Sequence, residues 1–176
     1  MSDAWNIVWN TASLTDAFRA IGLNPGDLVL VHSALRRLGP VVGGADTVID
    51  ALLAAVGPTG TVAVPTHTWK VVTREQPVFH QTFTPSHVGA LGNVLRQRAE
   101  AIRSLHPTHS VAAIGPRAAA LNQRARTGRH ALLTHEPVWS TARLGWKNPD
   151  HRRRSGVLHV FPRLRGMGRH AVGQYS

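Results

Sequence analysis

Histidine, serine, arginine and paired glycines crowd into three short stretches of this 176-residue chain. The first is His32-Ser33-Ala34-Leu35-Arg36-Arg37-Leu38-Gly39-Pro40-Val41-Val42-Gly43-Gly44. A glycine pair just before a helix exposes backbone N–H groups that suit phosphate, and Arg36 and Arg37 can add positive charge. The stretch is neither a Walker loop nor a GxGxxG fingerprint, and it also reads as an ordinary strand-to-helix connection. The second is Pro65-Thr66-His67-Thr68-Trp69, where His67 is either a proton donor or base, or a structural histidine at a strand end. The third, Leu105-His106-Pro107-Thr108-His109-Ser110, sets two histidines around a Pro-Thr pair. It reads as a turn whose polar side chains bond the backbone. No metal is expected, because no third ligand stands at motif spacing and no H-E-x-x-H is present.

The elements that would position these stretches alternate. Leu14 to Ile21 has a short helical pattern with Thr11 or Ser13 as N-cap, and Asn24-Pro25-Gly26-Asp27 is a turn. Leu28 to Val31 is a continuous apolar run, the mark of a strand buried on both faces. Ala45 to Val56 places Val48, Ile49, Leu52, Leu53 and Val56 at helical spacing, with Asp46 in the first turn. Gly57-Pro58-Thr59-Gly60 stops that helix, and Thr61 to Val64 is a second strand. Strand, helix and strand make one βαβ unit, right-handed by default. If its strands are parallel, the first two stretches share one sheet edge, where α/β proteins bind ligands. Lys70 to Phe83 has no period, Val88 to Ala99 is a further amphipathic helix, and Val111 to Ile114 is a third strand. Ala118 to Arg126 can extend as helix, and Val157 to Phe161 is strand-like. Residues 126–156 show almost no binary patterning.

The composition is globular, with 43% apolar residues. There is no cysteine, no apolar stretch of membrane-spanning length, and no leader pattern in Met1 to Asn10, which together suggest the cytoplasm. The net charge of +11 is unevenly spread. Residues 1–115 hold eight Lys or Arg against seven Asp or Glu, and residues 116–176 hold twelve against two. The tail could attract polyanions, but Trp139, Trp146, Phe161 and Tyr175 are scattered without the interleaving of a nucleic-acid module.

Three ordered blocks resemble the N-terminal half of the aminoglycoside 3-N-acetyltransferases. They are Leu30 to Thr68 (LVHSALRRLGPVVGGADTVIDALLAAVGPTGTVAVPTHT), Thr84 to Gly92 (TPSHVGALG), and Arg103 to Gly115 (RSLHPTHSVAAIG). The resemblance spans roughly residues 11 to 121. It implies an α/β fold, an antibiotic N-acetyltransferase-like layered α/β sheet with flanking helices, here incomplete. Residues 1–121 would be the N-terminal part of that domain and 122–176 a basic tail.

The resemblance further implies acetyl-coenzyme A as donor and the 3-amino group of a 2-deoxystreptamine aminoglycoside as acceptor. By position it places the coenzyme on Ser33, Leu35, Arg36, Val42, Gly43, Gly44, Thr66 and Ser110. Family members continue into an Asn-Thr-x-x-His-x-x-Glu motif that supplies a histidine base. No such string follows Gly115, and His135-Glu136 and His159 stand in other contexts, which leaves His109 as the candidate base. The charge jump coincides with the end of the resemblance, so the tail reads as truncated, frame-shifted or divergent; if it is out of frame, it should make no packed contact with residues 1–115. A non-catalytic coenzyme-A-binding fragment and a basic polyanion-binding protein are the alternative functions.

Overall fold

Asn10 and Ser13 stand three residues apart and cap the first helix reciprocally. The Asn10 side chain accepts the Ser13 N–H at 2.9 Å, and Ser13 Oγ accepts the Asn10 N–H at 3.0 Å. This starts helix α1 at Thr11–Ala20, three residues before the apolar pattern begins, and makes Asn10 the N-cap in place of Thr11 or Ser13. The computed structural model describes residues 8–121 and the strand at 155–159. The remainder of the basic tail, with the unpatterned stretch 126–156 up to that strand and most of the helical extension proposed to Arg126, lies outside the described residues. Helical residues 118–121 open that extension.

Strand β1 (Leu28–His32) carries the continuous apolar run, and both of its faces are covered. Val29 and Val31 pack with Leu14, Phe18, Ile49 and Leu52, while Leu30 packs with Ala63, Val111, Ala113 and Ala118 on the opposite side. Helix α2 (Gly44–Val56) and strand β2 (Thr61–Pro65) complete the βαβ unit. β2 is parallel to β1, with Leu28 beside Thr61 and Leu30 beside Ala63. α2 buries Val48, Ile49, Leu52 and Val56 against α1 and the sheet, the face that its 3.6-residue spacing predicts.

Helix α3 (Ala90–Leu95) is shorter at both ends than the predicted Val88 to Ala99. At its start, Asn93 accepts the Ser86 N–H and donates to the Ser86 carbonyl, which holds the preceding segment outside the helix. At its end, Gln97 and Arg98 donate to carbonyls three residues back, tightening the turn. Arg98 then forks onto Asp46 at 2.9 Å and Asp50 at 2.6 Å, tying this turn to α2.

The two-residue strand β3 (Ile102–Arg103) is too short to show in the sequence. It pairs antiparallel with β4 (Val111–Ile114), and β4 runs antiparallel to β2 with Pro65 opposite Val111. Gly115 ends β4 against β2. A Cβ there would lie 2.3 Å from the Gly60 carbonyl oxygen and 2.7 Å from Thr61 Oγ1, so only glycine fits.

Strand β5 (Ser155–His159) lies parallel to β1, from Leu28 beside Ser155 to His32 beside His159. It begins two residues before the expected Val157. The sheet order is β3-β4-β2-β1-β5. The lack of contact expected of an out-of-frame tail is not met over these five positions. An uncovered β1 would expose a row of backbone donors and acceptors, which a fifth strand satisfies.

Candidate active site

The carboxyl ends of β1 and β2 point to one edge of the sheet, and the antiparallel β4 starts at that same edge. All three chemically suggestive stretches therefore converge there. The first two, with Val88, enclose a cleft of about 470 Å³ lined by Val31, His32, Ser33, Ala34, Arg37, Val64, Pro65, His67, Trp69 and Val88. The floor is aliphatic strand, and the polar groups sit on the rim.

The second and third stretches are laced together. Thr66 N–H donates to the Ser110 carbonyl at 2.8 Å and Thr68 N–H to the Thr108 carbonyl at 2.9 Å. Thr68 Oγ1 reaches the Pro107 carbonyl, and Ser110 Oγ donates to the Thr66 carbonyl at 2.8 Å. His106 Nδ1 accepts the backbone N–H of His109 at 2.9 Å, the turn role expected of polar side chains here.

The histidines gather around Trp69. Its ring lies 4.7 Å from His67, 4.4 Å from His87 and 5.3 Å from His109, and His67 lies 5.2 Å from His109. Burial, followed by the neighbouring His109, His32, His87 and His106, pushes His67 down to about 4. At neutral pH His67 is an uncharged imidazole facing the cleft, a weak base that can accept a hydrogen bond. Burial and Lys70 also hold His87 below its ordinary value. Both ring nitrogens of His87 are enclosed without a hydrogen-bond partner. Among the described residues, no three histidines or carboxylates stand where they could hold a metal ion.

The glycine loop is shaped from outside by Trp9. Its N–H donates to the Pro40 carbonyl, its carbonyl accepts the Val42 N–H, and its Nε1 donates to the Leu38 carbonyl at 3.0 Å. Gly43 caps α2 in the left-handed conformation, at φ 78°, with no side-chain cap. Gly44 N–H donates to the Val41 carbonyl at 3.1 Å, and no side chain caps the donors of the turn that follows it.

Residues 30–135 match the family described as aminoglycoside 3-N-acetyltransferase, which carries the likeness past residue 121. This chain belongs to that family. It is 38% identical over 152 residues to aminoglycoside N(3)-acetyltransferase III of a Salmonella species, an alignment covering 77% of this chain and 52% of that protein. The chain therefore spans about half the length of the curated relatives it matches. Among solved structures it resembles AAC-IIIb in binary complex with CoASH, at 29% identity and TM-score 0.59, covering 66% of this chain and 49% of that one. It also resembles AAC-VIa bound to sisomicin, at 32% identity and TM-score 0.59, with the same coverage.

Within the family's frame, the residues picked out by resemblance divide into three groups. Ser33 lines the cleft, while Leu35, Arg36, Val42, Gly43 and Gly44 lie along the loop that leads from it to α2. Arg37, rather than Arg36, stands on the cleft wall. Thr66 and Ser110 are fully enclosed and bond to each other and to Arg103, so neither presents a surface for coenzyme contact. Their hydroxyls are engaged internally. His109 is absent from the cleft lining; it stacks beside His67, with Nδ1 2.9 Å from Thr108 Oγ1. His67, a candidate donor or base in the sequence, does line the cleft, whereas Arg103 and Trp9 give no local signal of their part in building the site.

Proposed function

We propose that this chain binds acetyl-coenzyme A at the carboxyl edge of β1 and β2 and transfers its acetyl group to the 3-amino group of a 2-deoxystreptamine aminoglycoside. The observation that supports this reading is the cleft itself, because Ser33, Arg37 and an uncharged imidazole line it and the loop that leaves it runs into a glycine-capped helix start. The left-handed Gly43 lets phosphate approach the first turn of α2, whose N–H groups beyond Gly44 would face its oxygens, and Arg36 and Arg37 supply charge. Leu35 and Val42 offer apolar surface to the coenzyme. Thr66 and Ser110 act from behind the wall through Arg103.

The acceptor must lose a proton before it can attack, since an ammonium has no lone pair. His67 lines the cleft uncharged beside His109 and can accept a hydrogen bond from the amine, but held near 4 it is too weak a base to take the proton, which passes to solvent. The free amine adds to the thioester carbonyl, and backbone or Ser33 donors stabilise the oxyanion. Collapse breaks the carbon–sulfur bond, leaving the amide product and coenzyme A, whose thiolate takes up a proton. Without the Asn-Thr-x-x-His-x-x-Glu base, transfer should run about 10²–10⁴-fold slower than in relatives that carry it.

A second reading, coenzyme binding without transfer, is favoured by the charge of the cleft. Its described lining holds His32, Arg37 and His67 and no carboxylate, whereas an aminoglycoside is a polycation. Release of free thiol from acetyl-coenzyme A in the presence of gentamicin or kanamycin separates the two. Slow release that depends on the aminoglycoside supports transfer. Release no faster than in protein-free solution refutes it.

A further inference from the structure

Residues 70–87 form a long excursion without helix or strand, and both of its ends belong to the cleft: it departs after Trp69 and returns at Val88. What fixes such a segment decides where the rim stands. Arg103 is 4% exposed and sits beneath it. One terminal nitrogen donates to the Gln81 carbonyl at 2.9 Å and to the Thr84 carbonyl at 2.6 Å. The other donates to the Thr66 carbonyl at 3.0 Å. Nε is shared between Thr66 Oγ1 at 3.2 Å and Ser110 Oγ at 3.1 Å. The guanidinium lies 5.0 Å from the centre of the Phe79 ring, and the Gln81 side chain returns a bond to the Arg103 carbonyl.

We propose that Arg103 is a positioning residue for the cleft, a buried cation that holds the Thr66–His67 strand end and the 70–87 excursion in one fixed relation. The planar fork matters, because only Arg offers donors in several fixed directions at once, and a lysine ammonium is a single point of charge. Carbonyl dipoles and the face of Phe79 hold the charge in place of a carboxylate. His87 follows from the same arrangement, since its N–H donates to the His67 carbonyl at 3.1 Å and its ring packs edge-on against Trp69. Fixing Thr66 from below and Gln81 and Thr84 from the side thus sets both walls that carry Trp69, His87 and Val88.

Amide hydrogen exchange of the full chain tests this directly. Val72, Thr84 and His87 have hydrogen-bonded N–H groups within the excursion. In Arg103→Gln their exchange should quicken about tenfold or more, while β1 and α2 change by less than about threefold. Arg103→Lys should fall between, and Phe79→Ala, which keeps the cation, should loosen the same amides less. Guanidinium ion at millimolar concentration should restore protection to Arg103→Ala, which general destabilisation would not show. Unchanged exchange at 71–88, an equal rise in β1 and α2, or failure of guanidinium rescue overturns the proposal. Its link to the cleft rests on the functional reading above and is measured separately, as a loss of acetyl-coenzyme A affinity of about tenfold in Arg103→Gln. If the unaltered chain does not bind the coenzyme, that reading fails, and the exchange data still judge Arg103.

Discussion

His67 shows how position alters an ordinary side chain. Half-buried among other imidazoles, it is held near 4, well below the usual histidine value. The unfolded chain therefore takes up this proton at a higher pH than the folded one. Stability from this site is complete above the unfolded value of about 6.5 and is lost as pH falls from there toward 4. After allowance for solvent screening at a half-exposed group, the loss should be on the order of 1 kcal/mol. Urea unfolding at pH 7, 5.5 and 4 measures it, and His67→Gln should remove that part of the slope; an identical slope in the variant contradicts the shift. Gly43 makes the other residue-scale case. Its positive φ disfavours any side chain, and a Cβ would lie 2.4 Å from Thr47 Oγ1, an atom that can rotate away. Gly43→Ala should cost about 1 kcal/mol in thermal or urea unfolding, and a neutral result would mean the loop adopts another conformation.

At the scale of elements, β1, β2, β4 and α2 were legible because burial writes a direct pattern. Leu28 to Val31 is apolar throughout, since Val29 and Val31 face one core and Leu30 the other. The ends of α1 and α3 were less legible. Asn10 caps α1 through a reciprocal pair that apolar spacing does not register, and α3 is cut short by Asn93 and by the pull of Asp46 and Asp50 on Arg98. Asn10→Ala should lower stability by about 1 kcal/mol. Phe18 is wholly enclosed where α1 meets α2, and Phe18→Ala should cost about 3–5 kcal/mol. Chemical denaturation checks both, and a cost below 1 kcal/mol for Phe18→Ala would mean that α1 does not close this core. The direction of β4 could not be read from its own residues. Being antiparallel, it returns the His106–Ser110 turn to the cleft edge, so the third chemical stretch meets the other two.

For the molecule as a whole, one edge of the sheet gathers nearly everything chemical in residues 8–121, and β5 closes the far side of β1. The sequence disclosed the loop and the strand ends, but not that Thr66 and Ser110 are buried as partners of Arg103. No spacing rule could show that, because it depends on β3, two residues long, bringing Arg103 beneath β2. The central claim is that this edge is a coenzyme A site built on the glycine loop. Calorimetric titration of the full chain with acetyl-coenzyme A tests it most directly, alongside Gly43→Asp and Gly43→Ala. The account predicts saturable one-to-one binding, weakened far more by Asp than by Ala, because only Asp sets like charge against the phosphates. Absence of binding by the folded chain, or equal affinity in all three proteins, would contradict it.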